Sequence, residues 1–265
     1  PIEKSIKEKI EKLGTPLKDW DINIYRGILT GYNDAFIING EKRDKLIQED
    51  LKSAEIIRPI LRGRDVKRYG NEFADLWLIN SHNGIKEKGV KPIIIENYPA
   101  IKKHLDQFYP ELEKRTDKGD TPYNLRNCAY MEDFSKQKII WKRIGSILRF
   151  SYDDEGCFSL DSTCFATGEK IKFLTAFFNS KIGNYSLKDS PKTGTGDLLI
   201  SVQAFDFLSV PIVNSDLENQ INNLIDKARH YKNEQELNNY EIELDQIFYN
   251  IYGFTREEIH LINNS

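Results

Sequence analysis

The stretch KIIWKRIGSILRFSYDDEGCFSLDSTCFATG, Lys138–Gly168, decides how this chain folds. Within it KIIWKRIG, ILRFSYDD and CFSLDSTCFATG alternate apolar with polar residues, and Gly or Asp turns separate them. A period of two is a strand signal, because successive side chains of a strand point to opposite faces. Short strands joined by turns predict an antiparallel sheet. The fold class is therefore read as α+β: a twisted, mostly antiparallel β core with short flanking helices and a C-terminal helical hairpin.

Towards the N-terminus, YRGILTGYNDAFI (Tyr25–Ile37) places Gly27 and Gly31 between the strand-like INIYRGIL and AFIING, which predicts a hairpin. EKSIKEKIEKLG (Glu3–Gly14) has Ile6, Ile10 and Leu13 at helical spacing and a glycine stop, which suits a connector from a preceding domain. Residues 41–57 are expected to be helical, and DLWLIN (Asp75–Asn80) and KPIIIE (Lys91–Glu96) to be strands. Helices are expected at Pro99–Phe108, where Pro opens the first turn, and at Glu111–Arg115; KGDTPYNLRN reads as a loop.

Towards the C-terminus, Glu169–Ser180 is predicted helical through Ile171, Leu174 and Phe178. SLKDSPKTGTGD (Ser186–Asp197) is a polar loop. LLISVQAFDFLSVPIV mixes strand and short-helix patterns. Leu217, Ile221, Leu224, Ala228 and Tyr231, then Leu237, Tyr240, Leu244, Ile247 and Ile251, follow heptad spacing on two helices with a break near Asn233. Three parts are expected: a connector helix over 1–16, a main domain over 17–213, and a hairpin over 214–265 that serves packing or spacing.

Charge separates along the chain. The net charge of the 265 residues is −3, but Asn214 onward holds 10 acidic and four basic residues, leaving the preceding body at +3. Ser135–Phe150 contains Lys136, Lys138, Lys142, Arg143 and Arg149 among its neighbours Trp141 and Phe150; a second run holds Arg58, Arg62, Arg64, Lys67 and Arg68. Such runs suit either a solvated face or phosphate contacts. Three widely spaced cysteines, odd in number and without a C-x-x-C pair, argue against a disulfide framework and a zinc motif, and fit free thiols in a reducing cytoplasm. No apolar run approaches a membrane span, so no membrane partner is expected. The chain opens on proline, and a segment excised from a longer protein is expected.

Catalytic patterns are sparse. His82, His104, His230 and His260 share no ligand spacing, KTGTGD lacks the lysine of a phosphate loop, and YDDEG (Tyr152–Gly156) reads as a turn. Cations interleaved with aromatics suit a nucleic-acid face instead.

Eight stretches in order, RGILTGYNDAFII, EIIRPILRGRDVKRY, WLI, YPAIKKHLDQF, KGDTPYNLRNCAY, KIIWKRI, FATG and YGFTREEI, make the chain resemble the TaqI-like C-terminal specificity domain over Leu17–Ile259. That is the target recognition region of adenine-specific DNA methyltransferases, including type IIG restriction-modification enzymes. The resemblance implies double-stranded DNA as partner, together with a methyltransferase domain of the same parent chain. That domain would use S-adenosylmethionine and flip the target adenine; a nuclease, where present, would use magnesium. The family's Asn-Pro-Pro-Tyr motif and glycine-rich cofactor loop are missing here, and TPYN (Thr121–Asn124) does not replace them. Neither catalytic nor cofactor or metal residues are therefore assigned, and the fragment alone is expected not to be an enzyme.

The DNA-binding candidates are Arg26, Thr30 and Asn33 around the glycine turn, Arg62, Arg64, Lys67 and Arg68 in RGRDVKRY, and Tyr123 and Arg126 in PYNLRN. Base readout is expected from Lys188, Lys192, Thr193 and Thr195, then from Lys142, Arg143 and Arg149. For Thr30, Asn33 and Tyr123 a purely local packing role competes with these. Other readings of the chain are the recognition half of a type I specificity subunit, a stand-alone nuclease with dispersed carboxylates, and a protein-interaction module built on the helical hairpin.

Overall fold

Four strands form the central sheet, in the order Ile22–Arg26, Thr163–Gly168, Lys138–Lys142, Phe150–Asp153, all antiparallel. They are seen in a computed structural model that describes all of residues 1–265. The period of two has a specific outcome. Ile139 and Trp141 face one hydrophobic core while Ile140, between them, faces another. Across the ladder, Cys164 and Ala166 join the first core and Phe165 the second. Both faces of the sheet are thus buried, which is why KIIW is apolar without a break.

A second sheet, in the order Ile37–Asn39, Leu76–Ile79, Ile57–Leu61, Phe158–Ser159, forms one outer layer with the helices Gly40–Glu49 and Pro99–Asp106. Phe158–Ser159 lies parallel to its neighbour; the other pairs are antiparallel. The chain therefore leaves the central sheet after Asp153, contributes this short strand to the second sheet, and returns at Thr163. The other layer is helical: Ile2–Leu13, Ile171–Asn179, Ser215–Arg229, Glu234–Tyr252 and Arg256–Asn263. The cores on the two sides hold 30 and 26 buried residues, so neither layer is an appendage of the other.

Local chemistry sets the helix ends. Asn214 caps Leu217 N at 2.9 Å, Asn233 caps Glu236 N at 2.9 Å, and Thr255 with Glu258 forms a reciprocal capping box. Glu258 also accepts Ser5 Oγ at 2.6 Å and Lys9 Nζ at 2.7 Å, docking the first helix on the last. The tail helices do not protrude: Ile221, Leu224, Leu244, Phe248 and Tyr252 enter the same core as Trp141 and Phe150. Ile171–Asn179 runs between sheet and tail, and buries Phe173 and Phe177 as well as the expected stripe.

Three local expectations are corrected. YRGILTGYNDAFI is not a hairpin, because Ile22–Arg26 and Ile37–Asn39 belong to different sheets. It is the crossover between them: Gly27 N donates to Thr163 O at 2.9 Å and Ile28 N to Ser159 O at 2.7 Å. A Cβ on Gly27 would lie 1.8 Å from Leu160 O, so only glycine fits where the two backbones cross. KPIIIE is not a strand; Pro92 has no N–H to donate, and the segment ends in a 3₁₀ turn at Ile95–Asn97. The predicted 41–57 helix ends at Glu49 and is followed by a 3₁₀ stretch at Leu51–Ile56.

Candidate nucleic-acid interface

The Lys138–Lys142 strand continues beyond the central sheet as a ribbon. Arg143 N donates to Ser162 O at 2.9 Å, and Ile200 N donates to Arg143 O at 2.8 Å. Ile144–Gly145 then pairs antiparallel with Leu198–Leu199. Lys192 bridges Leu198, and Thr193 N donates to Asp197 O at 2.8 Å, closing the loop that carries Thr193 and Thr195. The Thr193 and Thr195 hydroxyls lie 2.9 Å apart. Two segments expected to read bases separately, Lys142–Arg149 and Lys192–Thr195, are therefore neighbours in one two-stranded element. The predicted polar loop is shorter than expected, since Ser186 and Leu187 finish the helix Lys181–Leu187.

Cations collect at the root of this ribbon. Gly63 packs against it so closely that a Cβ there would be 3.3 Å from Lys142 Cγ and 3.2 Å from Ser162 Oγ, which brings the exposed Arg64 alongside. Arg26 lies opposite Cys164 in the ladder and pairs with Asp161 at 3.6 Å. Burial pushes the Cys164 thiol up to about 11, and the guanidiniums of Arg143 and Arg26 act on it in the opposite direction, being on that same side. Arg64, Lys142, Arg143, Arg149 and Lys192 form none of the molecule's ion pairs and stand available to an external anion. Beside the ribbon, Arg68, Ser146, Ile147, Lys188 and Leu198 line a cleft of about 340 Å³. Lys188 stacks over Tyr185 at 4.2 Å from the ring centre.

Other predicted cations are engaged internally. Arg62 grips Asp65 with Nε–Oδ2 at 3.0 Å and Nη2–Oδ1 at 2.9 Å. Burial raises the Asp65 pKa, but the Arg62 hydrogen bonds outweigh it and hold the carboxyl below its usual range. Arg68 binds Glu241 at 3.0 Å and Asn179 O at 2.9 Å, fastening the second sheet's connection to a tail helix. Lys67 lies 3.9 Å from Glu72. Within RGRDVKRY, Arg64 is thus the exposed cation. Lys138, counted in the basic run, is fully buried and bonds to Asp153 and to Phe134 O, each at 2.6 Å. The remaining YDDEG carboxylate of interest, Asp154, pairs with Arg229 at 3.0 Å, and no cluster of three or more His, Cys, Asp or Glu side chains converges.

Thr30, Asn33, Tyr123 and Arg126 assemble at a second place. Thr30 is wholly buried; its hydroxyl donates to Asn33 Oδ1 at 2.5 Å and accepts Tyr32 N at 3.2 Å. A direct phosphate contact from Thr30 is excluded by that burial. Asn33 remains exposed at the start of a short helix. Tyr123 donates to Asp106, and Arg126 reaches Asp117 at 3.3 Å. The organiser of this region is Arg115, which sequence reasoning missed. Its guanidinium is buried, donates to the carbonyls of Thr30, Asp117, Pro122 and Asn124, and sits 4.6 Å from the Phe36 ring centre. Burial lowers its pKa to about 10. An arginine between a helix and a polar loop looks like any surface cation in sequence; only the meeting of two loops, the crossover at Thr30 and the stretch from Asp117 to Asn124, gives it these carbonyl partners. TPYN lies in the second of these loops, held by Asn124 donating to His82 O and Ile93 O. Beside it, a cleft of about 710 Å³ is lined by Asn83, Gly84, Lys91, Asp120 and Asn127 among others.

The structure is similar to that of the type IIL restriction-modification enzyme MmeI, solved in complex with DNA, with a TM-score of 0.66, 13% identity, and coverage of 93% of this chain and 35% of that one. It is also similar to the type IIG restriction endonuclease BpuSI, with a TM-score of 0.52, 14% identity, and coverage of 95% and 33%. At such identities the likeness is one of fold, and the chain spans about a third of the length of either enzyme. No curated protein matches the chain. The TaqI-like C-terminal specificity domain model matches residues 58–198, more than half of the chain, spanning RGRDVKRY, PYNLRN, the first strand of the ribbon and the polar loop up to Leu198. The chain belongs to the TaqI-like C-terminal specificity domain family.

Proposed function

We propose that this chain is the DNA target-recognition domain of an adenine-N6 methyltransferase in a restriction-modification system. It binds duplex DNA and presents it for base flipping by a catalytic domain of the same parent protein. The observation that carries this reading is the ribbon: Arg64, Lys142, Arg143, Arg149 and Lys192 gather without internal counter-ions, while the cations elsewhere in the predicted set are mostly paired. A polyanion supplies the missing counter-charge, and phosphate contacts release condensed cations on binding. The polar loop carrying Thr193 and Thr195 stands beside these cations, where it reaches base edges. S-adenosylmethionine, and magnesium where a nuclease exists, belong to the rest of such a protein; no residue of this chain is assigned to them. The setting is the cytoplasm, at the nucleoid.

The test is replacement of Arg64, Lys142, Arg143 and Arg149 together by alanine, with DNA affinity measured by anisotropy between about 50 and 200 mM salt, concentrations over which such electrostatics change steeply. The dependence of log K on log salt is expected to flatten by about 0.9 for each phosphate that the variant no longer neutralises, with the melting temperature unchanged. An unaltered slope in a folded variant defeats the assignment.

A further inference from the structure

We propose that Ile147 is a specificity-determining residue that reads the 5-methyl group of a pyrimidine in the major groove. The inference rests on the ribbon being the DNA face. Ile147 stands at the turn between Gly145 and Phe150 and is 63% exposed. The ion-pair-free Lys142, Arg143 and Arg149 lie close to it along the chain, the Lys142 stem and the Ile147 carbonyl both reaching Gly145, and it lines a cleft with Arg68 and Lys188. An apolar protein partner covering Ile147 would strip water from Lys142, Arg143 and Arg149 without pairing them, which is unfavourable. A nucleic acid covers the isoleucine and neutralises the charges together.

The geometry narrows the contact. Ile144–Gly145 and Leu198–Leu199 form a two-stranded β-ribbon. The major groove, about 12 Å wide, admits such a ribbon. Isoleucine has neither donor nor acceptor, so facing adenine N6, guanine O6 or cytosine N4 it would desolvate a polar group without compensation. The C5-methyl is the apolar feature of the major-groove edge. Thymine and 5-methylcytosine both carry it.

The experiment selects binding sites from a random duplex library with the whole chain, wild type and Ile147→Ala, and sequences them. Wild type is expected to enrich thymine at a position where the variant has lost that preference, other positions being unchanged. Replacing that thymine by deoxyuridine should weaken wild-type binding about four-fold, the effect of one buried methyl, and leave the variant's binding unchanged. Cytosine and 5-methylcytosine duplexes at the same position show whether the methyl is read on either base or on thymine alone. Equal thymine-to-uridine ratios in the two proteins, or identical selected profiles, overturn the inference while leaving the DNA face intact. Absence of any DNA binding by the wild-type chain overturns both. Because Ile147 is exposed, an unchanged melting temperature is expected for the variant and guards against misfolding.

Discussion

Single residues carry sharply different loads here. Gly27 lies where the chain crosses from one sheet to the other, and an added Cβ would meet the backbone of Leu160 at 1.8 Å. Backbone cannot retreat as a flexible side chain can, so Gly27→Ala is expected to destabilise by about 3 kcal/mol or more, measured by denaturant unfolding. Lys138 and Asp153 form a buried pair at 2.6 Å. Lys138→Met leaves a buried carboxylate without its partner and is expected to cost about 3–5 kcal/mol. Asp245 acts in the opposite sense. Burial pushes its carboxyl up to about 6, although Lys181 N donates to it at 2.9 Å. A carboxyl whose folded-state pKa exceeds its unfolded one binds its proton more tightly when folded. Its ionisation therefore opposes folding above pH 6, and that penalty is relieved as pH falls from about 6 towards 4. Asp245→Asn should accordingly raise the melting temperature at about pH 8, by up to about 3 kcal/mol in stability, with the advantage vanishing near about pH 4. An equal effect at both pH values would show that ionisation is not the cause.

At the level of elements, the polar loop and the ribbon it belongs to are separable from the scaffold. Gly194 has nothing within 4 Å of where a Cβ would stand, and its φ is not in the left-handed region, whereas Gly196 has φ +88. Gly194→Ala is expected to leave stability within about 0.5 kcal/mol of wild type, as surface changes usually do. Gly196→Ala should destabilise only the loop, read as faster amide exchange over the ribbon with global stability retained. Legibility followed locality. The helices Ile2–Leu13, Pro99–Asp106 and Ser215–Arg229 carry their own signals, in the spacing of Ile6 and Ile10, in Pro99, and in the spacing of Leu217, Ile221 and Leu224. The hairpin expected at Tyr25–Ile37 failed because the glycine that signals a turn also permits a close crossing. Local sequence does not distinguish the two.

For the molecule as a whole, the decisive feature is a sheet buried on both faces between two cores of similar size. The tail helices supply Ile221, Leu224, Ile225, Leu244 and Phe248 to one of them. A fragment ending at residue 213 would expose the tail-facing side of the helix Ile171–Asn179, where Phe173 and Phe177 pack on Phe248, and it is expected to show no cooperative melting by circular dichroism; a cooperative transition would mean that the tail is dispensable. The interface was legible as composition but not as geometry. Lys142, Arg143 and Arg149 stand out by being close in sequence, and Lys192, Thr193 and Thr195 by loop composition. That these are neighbours depends on Leu198–Leu199 pairing with Ile144–Gly145. Which cations are free was equally hidden, since Arg62, Arg68 and Lys138 read like Arg64 and Lys142 until Asp65, Glu241 and Asp153 are placed beside them. By itself the sequence determined strand and helix periods, the glycine stop and the proline start of two helices, and the resemblance carried by ordered motifs, because these depend on neighbours along the chain. Only the tertiary structure decided which sheet each strand joins, which charges are spent internally and which remain for a ligand, because burial and pairing depend on residues far apart in sequence.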